Sequence, residues 1–205
     1  MTTDSLDISP KLRGRPREFD MEAALDEALR VFSERGYYAA SISELTEAMG
    51  LTAGSVYKAF GDKRGIFLTA FGRYRHVRQQ LIDECLDRAS SGHDKLYALV
   101  RFFAEASCGE VGRRGCLVVG SATELALFDE EVGGRVGIAF DFDERRILDL
   151  IRLGLADGSV PRHVDAESTA CTLLCLTKGM RVIGKTGRGD KQMLAVAEAA
   201  MKLLD

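Results

Sequence analysis
Ser41 and Thr52 are both residue types that cap helices, and Gly50 stands just before the second of them. Each cap opens a short amphipathic stretch, Ile42–Met49 after Ser41 and Ala53 to about Phe60 after Thr52. Glu44, three residues after Ser41, completes a capping box, and Gly50 supplies the backbone freedom that a tight turn between two helices demands. Leu45, Met49, Leu51 and Val56 are the apolar residues that would lock such a pair at a steep angle. The spacing predicts a helix-turn-helix. Its second helix keeps a polar outer face of Thr52, Ala53, Ser55, Tyr57 and Lys58, which suits a helix that meets base edges and phosphates. On spacing alone, a helical hairpin inside a larger core fits as well.

The rest of the chain reads as helix. Pro10, Pro16 and Pro161 are its three prolines, so residues 17–160 hold none. A first helix is expected from Asp20, its cap, to Gly36, with Met21, Ala24, Leu25, Ala28, Leu29 and Phe32 at helical spacing. Asp62 caps a long fourth helix to about Ser90, and Asp94–Ser107 is a fifth. Gly109–Gly115 reads as a loop, Cys116–Phe128 as a sixth helix, and Glu130–Ala156 as a seventh weakened at its start by Gly133, Gly134 and Gly137. Asp165 caps an eighth helix to about Gly184, and Gly189-Asp190 opens a ninth to Leu204. No segment alternates with period two. The expected fold is all-α, with about nine helices.

Charge is divided unevenly. The net charge is −3, yet residues 11–78 carry 12 Lys/Arg against 9 Asp/Glu, whereas residues 79–205 carry 16 against 20. The positive excess coincides with the segment that would meet phosphates. Hydrophobic residues make up 46% of the chain, enough for a core, and no apolar run approaches the roughly 20 residues that span a bilayer. The five cysteines form no CxxC pair, and the polar start Met1–Pro10 is not a signal peptide, so a reduced, cytoplasmic setting without a membrane partner is expected.

The flanks of the helix-turn-helix add a specific combination: Ala24–Phe32 followed by Gly36-Tyr, then Ser41-Ile-Ser-Glu-Leu, Ala48-Met-Gly-Leu-Thr, Gly54-Ser-Val-Tyr and Phe60-Gly-Asp-Lys. On these stretches residues 15–70 resemble the DNA-binding domain of the TetR/AcrR family of regulators. Thr46 and Ala59 depart from the usual pattern without removing a DNA-facing group. The resemblance implies that Tyr57, Lys63 and Thr52 contact phosphates, that Ala53, Ser55 and Lys58 face the groove, and that Ser41 belongs to the same surface. It also implies a division into a basic arm (1–17), a DNA-binding head (18–64) and an effector-binding and dimerisation domain (65–205).

For the arm, Arg13, Arg15 and Arg17 invite minor-groove contact, with a solvated tail as the alternative. For the second half, the family implies a homodimer through the last two helices, by Leu173, Leu176, Met180 and Ile183 in one and Met193, Val196, Ala197, Ala200 and Leu204 in the other. It further implies a pocket for a small apolar or amphipathic effector, with Phe102, Phe103, Leu125, Phe128, Phe140 and Ile147 as the expected lining. The function expected is a repressor, nucleoid-associated, released from a double-stranded palindromic operator by that effector. A helical protein-interaction module is the rival.

Cys116 follows Arg113-Arg114-Gly115 at a predicted helix start, an arrangement that favours thiolate, so a thiol sensor stands beside the plainer reading of a core cysteine. Cys171 and Cys175 share one helix face without two further ligands, and His76, His93 and His163 are scattered, so no metal or cofactor is expected. Asp141, Asp143 and Glu144 read as a solvated face or as part of the effector pocket. No P-loop, GxGxxG unit or Ser/His/Asp order supports an enzyme.

Overall fold
The computed structural model describes residues 20–205; the arm with Arg13, Arg15 and Arg17 lies outside the described residues. Among those described there are ten α-helices and no strands. They are α1 (Met21–Arg35), α2 (Ile42–Ala48), α3 (Ala53–Phe60), α4 (Lys63–Leu86), α5 (Gly92–Glu105), α6 (Gly109–Arg114), α7 (Leu117–Glu124), α8 (Glu130–Asp157), α9 (Ala166–Ile183) and α10 (Asp190–Met201).

The caps fall where the side-chain chemistry places them. Asp20 accepts from the Glu22 and Ala23 amides, Thr52 from Ser55, Asp62 from Gly65, and Asp165 from Ser168. Ser41 and Glu44 form the full capping box. Gly36 (φ 81°) and Gly50 (φ 65°) turn the chain after α1 and α2 through a region that other residues avoid.

Two expectations need correction. Gly109–Arg114 is a helix rather than a loop, braced on its own surface by Glu110 and Arg114 at 3.0 Å, four residues apart. The helix expected over Cys116–Phe128 stops at Glu124, and Leu125–Phe128 turns so that α8 can fold back. Gly133, Gly134 and Gly137 do not delay α8, because Val132, Val136 and Ala139 bury the same face and packing outweighs propensity.

The core has two parts. One encloses α1–α3 and the first turns of α4, with Ala28, Phe32, Leu45, Val56, Ile66 and Phe67, and is completed by Leu117, Val118, Leu125, Val132 and Val136 from α7 and α8. The other joins α5, α8, α9 and α10 through Leu96, Leu99, Ile147, Ile151, Leu173 and Ala197. Where α5 starts against α8, Gly92 and Gly154 touch through their backbones. A Cβ on Gly92 would lie 2.1 Å from the Gly154 nitrogen.

Candidate DNA-binding head and regulatory site
Val56 is completely buried while its α3 neighbours Thr52, Ala53, Ser55 and Lys58 stand in solvent and Tyr57 is 53% exposed. The fold thus presents the expected outer face as one continuous surface. The Thr52 hydroxyl lies 3.0 Å from that of Ser55, so one of the two donates to the other at the helix N-terminus. Ser41 is exposed, but its hydroxyl donates to Glu44 and accepts from the Glu44 amide. The Ser41 amide and hydroxyl, both donating to the carboxylate, with Arg35 paired to it at 3.1 Å, hold the Glu44 carboxyl below the usual carboxylate range. Lys63 is half-buried: its Nζ lies 4.6 Å above the Tyr37 ring and donates to the Tyr38 carbonyl at 3.3 Å.

The head is fastened to the body by two carboxylates that sequence reasoning did not single out. Glu124, the last residue of α7, accepts from the Tyr37 amide (3.0 Å) and the Tyr38 amide (2.8 Å) just after α1. Gly36 makes room for it, since a Cβ there would sit 2.7 Å from Glu124 Oε2. Asp129, the cap of α8, takes a bidentate pair from Arg64 at 2.7 and 3.0 Å, and Arg64 also reaches Glu131 at 2.8 Å. The Arg64 guanidinium, helped by the Val132 amide, pulls the Asp129 carboxyl down to about 2. Gly36 and Arg64 are visible in the sequence as a helix stop and a basic residue after Lys63. Nothing local announces their partners, which are more than sixty residues away.

The expected effector lining does not come together. Phe128 is 78% exposed, Leu125 belongs to the head-side core and Ile147 to the body core. Phe102 and Phe103 meet edge to face, Arg78 lies over Phe102, and Lys178 lies over Phe103 and, at 5.7 Å, Phe140. Of the six residues, Phe103 alone lines the internal void among these helices, which measures about 20 Å³. That void is polar as well as aromatic. Asp143 bridges Arg75 (3.1 Å) and Lys178 inside it, all three largely buried, while Tyr74 and Cys116 close its wall. Asp143 is therefore the one of the three acids Asp141, Asp143 and Glu144 that turns inward to an ion pair.

Cys116 is half-buried at the N-terminus of α7 and accepts a hydrogen bond from the Tyr74 hydroxyl at 3.3 Å. Burial pushes its thiol up, but the Arg181 charge, the Tyr74 and Val119 hydrogen bonds and Lys178 together bring it below the ordinary thiol value. Burial and the adjacent thiol push Tyr74 the other way, well above the usual phenol range.

The expected dimer residues divide into two sets. Leu173, Ala197, Ala200 and Leu204 are buried inside the protomer, because α5 and α8 cover that side of α9 and α10. Leu176, Ile183 and Val196 instead line an open apolar groove of about 340 Å³ between α9 and α10, with Ile183 48% exposed, while Met180 and Met193 border that groove yet are themselves buried. Among the described residues no cluster of His, Cys, Asp and Glu could hold a metal ion, and no helix is long and apolar enough to cross a membrane.

A helix-turn-helix with an open polar face, mounted on a helical body, defines the class of one-component DNA-binding regulators. The family model for bacterial regulatory proteins of the tetR family matches residues 24–70. Over 215 aligned positions the chain is 29% identical to the HTH-type transcriptional repressor ComR of Escherichia coli K12, covering 99% of this chain and 97% of ComR. A cysteine-substituted form of the TetR family regulator CifR, solved with 26-base-pair operator DNA, is 32% identical, covers 94% of this chain and all of its own, and superposes with a TM-score of 0.83. A regulator from Cytophaga hutchinsonii shares the fold at 18% identity and a TM-score of 0.78. The chain belongs to the TetR family and is a transcriptional regulator rather than an enzyme.

Proposed function
We propose that the protein is a repressor that binds a palindromic operator as a homodimer and leaves it when an effector acts on its body. The observation that carries this reading is the α3 face, where buried Val56 leaves Thr52, Ser55, Tyr57 and Lys58 outward on one surface. The likeness to an operator-bound CifR along almost the whole chain supports it. In this reading residues 18–64 are the head, residues 65–205 the regulatory and dimerising part, and residues 1–17 an accessory arm. Tyr57, Thr52 and Lys63 meet phosphates, Thr52 and Lys63 doing so at the starts of α3 and α4, where helix dipoles favour anions. Ala53, Ser55 and Lys58 face the groove, and Ser41 flanks them. A second copy covers the Leu176–Ile183–Val196 groove, which sets the two heads for successive major grooves, roughly 34–36 Å apart. The protein acts on the nucleoid, in the cytoplasm, without cofactor.

Selection of bound sequences from a random DNA pool tests the reading. The expected outcome is an enriched inverted repeat whose binding weakens about tenfold on Lys58→Ala, a loss of roughly 1.4 kcal/mol. Failure to enrich any inverted repeat refutes operator binding. Equal binding by Tyr57→Phe, Lys58→Ala and the unaltered protein would instead favour the rival interaction module.

A further inference from the structure
Among the described residues, four cations gather in the interior of the regulatory body around the Asp143 carboxylate. Arg75 and Arg78 from α4 and Lys178 and Arg181 from α9 converge on a region where Asp143 of α8 is the carboxylate that lines the void. Arg181 is 1% exposed. One of its amino groups donates to the carbonyl of Gly115, the residue before Cys116, while Nε and Nη1 have no partner among the described residues. Orphaned guanidinium donors at that depth are costly unless an anion stands near. The nearby group that can carry a negative charge is the Cys116 thiol, which accepts from the Tyr74 hydroxyl and which Arg181 helps to hold below the ordinary thiol value.

The other cysteines lack this setting. Cys108 is buried and donates its S–H to the Ala104 carbonyl, and burial pushes it up; Cys171 is pushed up by Cys175 beside it on the surface. A void of about 20 Å³ holds about one water, against the several hundred Å³ that an ordinary bound ligand fills. Cys116 also lines a second small cleft, of about 40 Å³, with Gly120, Glu124 and Lys185.

We propose that Cys116 is a nucleophilic modification site for small, uncharged carbon electrophiles such as α,β-unsaturated carbonyl compounds, and that its alkylation is the signal that releases the head. The release half rests on the repressor reading above; the chemistry of the thiol does not. The thiolate sulfur attacks the β-carbon, forming a C–S bond while the C=C π pair moves through the carbonyl to oxygen. The resulting enolate takes a proton from water at its α-carbon, leaving a neutral thioether.

Two changes follow at the N-terminus of α7. The thioether cannot ionise beside Arg181, and bulk is added at a site whose internal void holds about one water. Arg181 holds the Gly115 carbonyl, so the turn that launches α7 shifts with it. Helix α7 is eight residues long, buries Leu117 and Val118 in the head-side core and ends on Glu124, which grips the Tyr37 and Tyr38 amides. One short rod thus joins the thiol to the head.

Alkylation of the full chain by N-ethylmaleimide, followed by peptide mass mapping from pH 5 to pH 9, reads the first half. Cys116 should react at least about tenfold faster than the other four cysteines at pH 7, with a midpoint below the ordinary thiol value of about 8.5. Against burial, Arg181, Tyr74, the Val119 amide and Lys178 lower this midpoint, and Arg75, Arg78, Asp143 and Lys185 are the other charged groups that line the surroundings of the thiol. Tyr74→Phe should raise it, as should Lys178→Met, which keeps the proposal testable if substitution of Arg181 prevents folding. Reaction at the rate and midpoint of a free thiol overturns the site.

The second half is read by hydrogen exchange at the Tyr37 and Tyr38 amides, which should quicken on alkylation, and by operator affinity, which should fall at least tenfold. The reagent should change neither in Cys116→Ser. Unchanged exchange at those amides overturns the transmission even if no operator is found, whereas failure to find an operator while exchange quickens indicts the repressor reading alone.

Discussion
In the head, Thr52, Ser55, Tyr57 and Lys58 stand in solvent on one eight-residue helix, whereas the body folds Arg75, Asp143, Lys178 and Arg181 inward from three different helices. The head needs rigid local geometry and an open polar face, and caps and tight turns supply both. The body holds charges against one another at low exposure, where removing one member leaves the others uncompensated. A surface of the first kind tolerates loss of a charge with a change in affinity. A cluster of the second kind answers with a change in packing, which is what a regulator requires of the part that senses.

The largest expected effect comes from breaking the head alone. Leu45 is wholly buried between α1, α2 and the start of α4, and Leu45→Ala should cost about 2–5 kcal/mol. Hydrogen exchange should then show α2 and α3 open while α5, α8 and α9 remain protected. If both regions open together, the seam formed by Leu117, Val118 and Val132 makes head and body one cooperative unit, and the contrast drawn above fails for stability.

The converse substitution lies in the body. Gly92→Ala forces α5 away from α8, because its Cβ would fall 2.1 Å from the Gly154 backbone. Overpacking of this kind costs roughly 1–3 kcal/mol. The melting temperature should fall by several degrees while DNA affinity measured well below it stays within about twofold. A parallel loss of affinity would mean that body packing sets head geometry even without a signal.

The same contrast explains what was legible from residue order. Every element of the head carries its own punctuation within a few residues: Asp20, the Ser41–Glu44 box, Gly50, Thr52 and Asp62. Those signals specify backbone and exposed face together, so α1 to α4 and the outward set on α3 follow from them. The body's features depend on distant partners. Phe128 has the composition of a pocket residue, yet the chain turns after Leu125 and leaves it outside. Leu173 and Ala200 have the periodicity of an interface, but α5 and α8 cover them first. Amphipathic periodicity shows that a face is buried without showing by what. Cys116 was recognisable from its local helix start and neighbouring arginines, whereas Arg181 and Tyr74, which engage it, lie in other helices.

Glu124→Ala tests the joint between the two regions. It removes the acceptor for the Tyr37 and Tyr38 amides, one half-buried and one exposed, so water replaces it only in part. A stability loss of roughly 1–2 kcal/mol is expected, with faster exchange at both amides. The informative readout is coupling. Operator affinity in this variant should lose most of its response to alkylation of Cys116, because α7 no longer grips the head. A full response would route the signal through Arg64 and Asp129 instead.

The smallest effect concerns that second joint and is electrostatic. Arg64 holds the Asp129 carboxyl at about 2 in the folded protein, against about 3.9 in an unfolded chain. A depressed carboxyl stabilises the fold above its unfolded value, so this contribution is fully present above about pH 4 and is lost as pH falls through about 2. Asp129→Asn keeps an oxygen for the Val132 amide, preserving the α8 cap while removing the charge that Arg64 engages. Melting temperature followed from pH 6 to pH 2 should therefore fall less steeply between 4 and 2 in the variant, from a slightly lower start. Because the Arg64 side chain is 41% exposed, solvent screens the pair and the difference should amount to a few degrees at most. Identical acid limbs would show that Arg64 gains no more from Asp129 than from water, leaving Glu124 as the contact that ties head to body.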